Sequence, residues 1–294
     1  MNKSIISIIV SMIIFGTIGL FVRFLSMPSS VIALMRASIG ALFLLVIMLS
    51  SKKRPDIGEI KKNIAPLLVS GVLLGLNWIL LFESYKYTSV ATATLCYYMA
   101  PIITIIVSPF LLSEKLTSKK IICVGFALIG MVLVSGIYKT GIGTDGGEGD
   151  MRGVLLGLCA AVFYASVIMT NKKLGALTSF DRTLSQLFIA AAVLVPYTVL
   201  TGAFTGINWD GSNIVWIIVV GIVHTGIAYI LYFGGMGGCS AGTAAMLGYI
   251  DPAVALMISM FILGEEMSGL GILGAVLILG STILSEIDIK KKSR

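Results

Sequence analysis

Charge is scarce in this chain. Aspartate, glutamate, lysine and arginine supply 12% of its 294 residues, against 57% hydrophobic residues and a mean hydropathy of +1.02. No soluble core buries that much apolar surface, so the composition excludes a soluble globular protein and fits a chain dissolved in lipid. Histidine is represented by His224 alone, and the four cysteines (Cys96, Cys123, Cys159 and Cys239) lack metal-ligand spacing. No metal is therefore expected, and the cysteines read as free thiols buried in apolar segments. Cofactor motifs are missing too: the GGMGG run (Gly234, Gly235, Gly237, Gly238) has neither the Lys nor the Ser/Thr of a phosphate-binding loop. Polar loops are too short to carry the carboxylate, histidine and arginine cluster of a membrane-embedded enzyme, and no soluble signalling domain is present. The opening apolar run, Ile5 to Val22, lacks a small-residue cleavage site, so it is expected to remain as a helix.

What the chain does have is a succession of apolar segments of spanning length. About 20 helical residues cross the hydrocarbon core, and segments of that size fall near 5–24, 29–50, 64–85, 90–112, 118–138, 152–171, 182–203, 212–234, 240–263 and 267–287. The expected fold is an all-α polytopic membrane protein with ten transmembrane helices. Lys and Arg cluster in alternate loops: 16 of the 21 fall on one side, including Lys52, Lys53, Arg54, Lys119, Lys120 and the terminal Lys290 to Arg294. By the positive-inside rule both termini are cytoplasmic. Basic loops beside anionic lipid headgroups account for the net charge of +7, so no nucleic-acid partner is implied.

One long glycine-rich polar stretch, YKTGIGTDGGEGD from Tyr138 to Asp150, divides the chain near its middle. It separates a first five-helix repeat (1–138) from a second (152–289), with 139–151 as linker and 290–294 as a basic cytoplasmic tail. A shift of about 150 places Gly71 over Gly221, Leu81 over Leu231 and Ala91 over Ala241. After a one-residue slip, Tyr98, Pro101 and Glu114 fall over Tyr249, Pro252 and Glu265. With five helices each, an odd number, the repeats enter the membrane from opposite sides, and inverted repeats of this kind belong to transporters. Pro101 and Pro252 lie near mid-helix and each removes a backbone hydrogen bond there, as a kink, a gating hinge or both.

Several polar residues sit deep in these segments. Asp251 is placed near the bilayer midplane, where a carboxylate costs roughly 2.5–3.5 kcal/mol and is a functional candidate by default. His224 falls at similar depth on the preceding helix, which makes the two a candidate proton site or cation-binding pair, or else an interhelical hydrogen bond. The mate of Asp251 in the first repeat is Ala100, so the acid breaks the symmetry. Arg36 and Glu83 are a second candidate pair, with Arg36 structural and neutralised by Glu83, although Lys86 offers Glu83 a local partner. Trp78 with Phe82, Tyr229 with Tyr232, and Tyr98 with Tyr249 supply aromatic faces that attract cations by about 0.5–2 kcal/mol per ring. Asn77 and Thr17 are candidate hydrogen-bonders to a solute. Gly153 and Gly157 read as helix-packing positions.

The chain resembles the ten-helix, EamA-like branch of the drug/metabolite transporter superfamily over nearly its whole length. The resemblance rests on the paired Y-x-x-P elements, the small-residue runs TSVATATLCYYMAP and CSAGTAAMLGYIDP, the glutamates in LLSEKLT and ILGEEMS, and Arg36 in VIALMRASIG. The first helix departs from the family pattern, reading IFGTIGLFV with Phe15 where a tryptophan is usual. The resemblance implies a secondary transporter, often an exporter, of small organic solutes in a bacterial cytoplasmic membrane. The expectation is alternating access to a site between the repeats. Asp251, His224, Trp78, Asn77, Tyr98, Tyr249 and Glu83 are its candidate binding or coupling residues, and Arg36, Pro101 and Pro252 its structural or gating ones. Cationic or zwitterionic solutes are favoured, with protons as the candidate coupling ion. An uncoupled facilitator or channel for small metabolites is the alternative.

Overall fold

The computed structural model describes residues 3–51, 54–111, 117–135, 151–171, 174, 177–236 and 247–286. The linker at 139–150, the tail at 290–294, Glu114, Cys239 and the latter half of GGMGG lie outside the described residues. Among those described, the elements are helical and no strand occurs. In chain order they are α1 (Lys3–Gly16), α2 (Ile18–Arg23), α3 (Ser29–Ser50), α4 (Ile57–Lys62), α5 (Ile64–Tyr87), α6 (Val90–Tyr97), α7 (Ala100–Leu111), α8 (Ser118–Ser135), α9 (Met151–Asn171) and α10 (Ser179–Leu200). Then come α11 (Gly211–Gly221), a π-helical segment (Ile222–Ile227), α12 (Ala228–Met236), α13 (Ile250–Phe261) and α14 (Gly269–Glu286).

Among the described residues, seven helical stretches are long and apolar enough to cross a membrane: Lys3–Arg23, Ser29–Ser50, Ile64–Tyr87, Val90–Leu111, Met151–Asn171, Ser179–Leu200 and Gly211–Gly235. Large apolar side chains point away from the protein along them, as at Phe110 (84% exposed), Leu200 (86%) and, on α13, Phe261 (80%). In water such a surface would be unstable; in lipid it is the expected one.

Helix starts follow their capping chemistry. The hydroxyl of Ser89 accepts from the Thr92 N–H at the start of α6, and Asp210 accepts from the Asn213 N–H at the start of α11. Helix α10 begins at Ser179, three residues before the expected 182, because Thr178 caps the Asp181 N–H at 3.1 Å and so nucleates the earlier turn. A short surface helix absent from the sequence reading, α4, is capped by Asp56, which accepts from the Glu59 N–H. Cys96 and Cys123 are buried free thiols as expected, but Cys159 is exposed on the outer face of α9.

The helices pack across the midpoint of the chain more than within either half. Helix α5 lies along α9 and α10, α3 along α10 and α11, α1 along α12 and α13, and α8 along α14. Close approach requires glycine at several points, and two of them match: a β-carbon on Gly71 would fall 2.6 Å from Ile189, and one on Gly221 would fall 2.5 Å from Ile39. Gly221 lies 150 positions beyond Gly71, and Ile189 lies 150 beyond Ile39. The same contact is therefore made twice, with the halves exchanging roles.

The long stretches are interrupted near their middles. The path breaks at Thr17, at 98–99 and at 248–249, and the Gly211–Met236 stretch loosens into its π segment. Pro101 and Pro252 fall in the first turns of α7 and α13, where the missing N–H has no helical partner in any case. The prolines thus end one helix and begin another, which is a fuller interruption than a kink.

Candidate functional site

The interruptions converge on one cavity of about 660 Å³, within the size range of small-molecule sites. Gly16 and Ile18 flank it from the first break, Tyr98 and Ala100 from the second, and Gly248 and Tyr249 from the third. Where a helix is broken, backbone groups and side chains are released from the regular ladder, and inside a membrane this occurs only against protein or a cavity. Seven tyrosines line the space (Tyr85, Tyr97, Tyr98, Tyr164, Tyr229, Tyr232 and Tyr249), with Trp78, Arg36 and Asp251.

Asp251 occupies the first turn of α13, where the helix dipole favours a negative charge. The Tyr98 hydroxyl donates to its Oδ2 at 2.7 Å, a short charge-assisted bond that joins the 98–99 break to α13. Tyr97, next in sequence, stacks on Tyr164 with centroids 5.1 Å apart and forms another wall. Phe15, Tyr229 and Phe233 continue the aromatic surface along α1 and α12.

Arg36 is 5% exposed, on α3. Its guanidinium lies 4.1 Å from the centroid of the Trp78 ring and 5.7 Å from that of Phe82, and its Nε donates to Thr225 Oγ1 at 3.0 Å. Thr225 in turn donates to the carbonyl of Val220, five residues back, in keeping with the π geometry of this segment. The expected neutralisation of Arg36 by Glu83 does not occur. Glu83 accepts from Ser29 Oγ at 2.6 Å and pairs with Lys86 at 3.0 Å near the helix end, a partly exposed position outside the cavity lining.

The pairing of His224 with Asp251 is also not formed. His224 is buried against Phe21, centroids 4.7 Å apart, and its Nε2 meets Thr17 Oγ1 at 2.8 Å. The Thr17 Oγ1 also lies 2.7 Å from the Ile14 carbonyl oxygen, so this one side chain touches both the backbone of α1 and the imidazole. His224 and Thr17 thereby brace the break between α1 and α2 against the π segment. Asn77 is buried and donates to the Ala160 carbonyl at 2.6 Å, tying α5 to α9. Of the sequence candidates, Asp251, Trp78, Tyr98, Tyr249, Pro101 and Arg36 line the cavity, whereas His224, Asn77, Glu83 and Pro252 do not. Tyr85, Tyr97 and Tyr164 were not foreseen; nothing in the sequence separates them from interfacial tyrosines.

A second polar cluster lies outside the cavity lining. Arg23 pairs with Glu265 at 2.7 Å and also donates to the Thr88 carbonyl at 2.9 Å. Glu265 Oε2 accepts from the Val90 N–H at the start of α6 and from the Ser259 hydroxyl, whose oxygen accepts from the Ala91 N–H. Five hydrogen bonds thus join the end of α2 and the start of α6 to α13 and the turn that follows it.

A lipid-facing chain, helical throughout its described elements, with a solute-sized cavity of aromatic walls and a few charged side chains at its broken helices has the architecture of a membrane transport protein. Residues 2–136 and 151–286 each match the EamA-like transporter family, and the chain belongs to that family. It is 30% identical over 99% of its length to an uncharacterized transporter YxxF of Bacillus subtilis (strain 168), covering 92% of that protein. An uncharacterized transporter of Archaeoglobus fulgidus is 26% identical over 95% of this chain and 94% of its own. Protein PecM of Dickeya dadantii is 26% identical over 89% of this chain and 85% of its own. A solved crystal structure with 18% identity shares the fold over 97% of each chain, with a TM-score of 0.65. The protein is thus a multi-pass membrane protein and a transporter of the EamA-like family.

Proposed function

We propose that this transporter carries small organic solutes (amino acids, amines or related metabolites, or drugs) out of the cell across the bacterial cytoplasmic membrane by alternating access. The observation that carries this reading is the cavity, where Asp251 and Arg36 line a space walled by tyrosines and tryptophan between two halves that each match the family. Ten membrane-spanning helices in two inverted five-helix repeats, with both termini cytoplasmic, complete the reading. It is supported by the doubled contact of Gly71 with Ile189 and Gly221 with Ile39, since equivalent residues exchange roles about a twofold axis. In this topology the Arg23–Glu265 cluster lies at the outer face and is the closed gate, while the cavity extends along Thr104, Ser108 and Lys120 towards the cytoplasm. Asp251 is the coupling residue, exchanging a proton for a cationic group of the solute, and the surrounding rings favour that group by cation–π attraction.

The test is flux in proteoliposomes under an imposed pH gradient, for wild type and Asp251→Asn. Asparagine keeps an oxygen to accept from Tyr98 and removes only the charge. Transport that follows the gradient in wild type and ignores it in the variant supports coupling through Asp251. Gradient-independent flux in wild type identifies an uncoupled facilitator.

A further inference from the structure

Arg36 is the group whose place in the molecule the coupling scheme leaves unexplained. A buried guanidinium is costly unless it is paired, and its five N–H donors form a fixed fork suited to carboxylates. Here one donor, Nε, is used by Thr225, and one face is covered by Trp78. Among the described residues no carboxylate lies within ion-pair distance of Arg36, and no hydrogen bond is made by its two terminal nitrogens. Glu83, the acid nearest to it in the sequence pattern, is held by Ser29 and Lys86. Asp251 shares the cavity but is bonded to Tyr98. The molecule thus holds a fixed, stacked, half-used guanidinium lining a cavity large enough for a metabolite.

Resting on the transport reading above, we propose that Arg36 is the anchor for a carboxylate of the solute, bound end-on through Nη1 and Nη2. With Nε engaged by Thr225, the side-on mode is blocked and the end-on pair of parallel hydrogen bonds remains. Trp78 keeps the guanidinium plane in place, so little freedom is lost when the carboxylate arrives. Among the solutes proposed above, the transported class then narrows to zwitterions that carry a carboxylate beside the cationic group, and amines without a carboxylate are excluded. Thr225 belongs to the π segment, so occupation of Arg36 is felt at the interruption that also holds His224 against Thr17.

Labelled L-amino acids, each beside the amine left by removal of its carboxylate, distinguish these outcomes in proteoliposomes and in thermal-shift measurements on detergent-solubilised protein. Wild type is expected to bind and move amino acids and to reject the matching amines. Loss of a two-point charge-assisted contact weakens binding by about 10- to 100-fold. Arg36→Gln is accordingly expected to raise the half-saturating concentration for amino acids by that factor. Arg36→Lys, which keeps the charge and most of the stem but not the fork, is expected to raise it about tenfold, and it serves as the test if the glutamine variant fails to fold. Amines carried as well as amino acids, or amino-acid affinity unchanged in both variants, overturn the anchor while leaving the transport reading intact. Carboxylate-dependent thermal shifts without flux in wild type keep the anchor and overturn transport. A wild type that neither binds nor moves any probe overturns both.

Discussion

Tyr98 and Asp251 meet at 2.7 Å inside the cavity, and a phenol donating to a carboxylate at that distance holds both side chains in position. Removing the hydroxyl in Tyr98→Phe forfeits about 1.5–3 kcal/mol of charged hydrogen bonding. The expected outcome is a fall of about tenfold in transport rate in proteoliposomes, with a melting temperature lowered by a few degrees because Asp251 loses a partner while the ring and its packing remain. An unchanged rate removes this bond from the transport cycle. Glu83 gives the opposite expectation. Its partners are Ser29 and a partly exposed Lys86, and exposed pairs contribute about 0.2–1 kcal/mol. Glu83→Gln is therefore expected to leave flux within about twofold of wild type, and a larger loss places Glu83 in the pathway after all. Asp251 and Glu83 are both acidic candidates from sequence, and their different partners assign them different roles.

At the scale of elements, the broken helices decide where polar groups can exist. The π segment at Ile222–Ile227 carries both Thr225, which holds Arg36, and His224, which holds Thr17 at the break between α1 and α2. One irregular turn therefore joins α3, α1 and α2. The glycines that let these elements approach are equally constrained. Gly71→Val and Gly221→Val each drive a branched side chain into an isoleucine of the facing helix. Overpacking of this kind costs about 1–3 kcal/mol, so both variants are expected to melt below wild type in detergent, by similar amounts. If only one of them is destabilised, the two contacts are not equivalent and the twofold argument fails.

For the whole molecule, the Arg23–Glu265 cluster is the feature that links distant parts of the chain at one rim. It joins the two halves matched by the family, and under the alternating access proposed above opening that rim breaks it. A loss of about 1.4 kcal/mol shifts a two-state equilibrium tenfold, and Arg23→Ala is expected to increase the rim-open population by about that factor. A cysteine at Thr94, which lines the cavity, in a background lacking the native cysteines, reports this through its reaction with a membrane-impermeant thiol reagent added outside. Faster labelling in Arg23→Ala identifies the cluster as the outer gate; unchanged labelling shows that other contacts close the rim. Exchanging the two charges is not expected to restore closure, because an arginine at 265 cannot accept from the Val90 N–H.

The amino-acid sequence alone determined the class of protein, since hydrophobic content and segment length dictate lipid burial whatever the packing. It also indicated the bounds of the long described helices to within a few residues, the matched prolines and Asp251 as a candidate residue, because these depend on local composition and spacing. Partner choice was decided by tertiary structure. Arg36 met Trp78 and Thr225 instead of Glu83, and His224 met Thr17 instead of Asp251. Depth along a helix can be counted from sequence, but the direction a side chain faces depends on helix rotation and on the breaks at Thr17 and at 98–99. Those are set by packing between the halves. For the same reason Tyr85, Tyr97 and Tyr164 were indistinguishable from other tyrosines until the helices were assembled around the cavity.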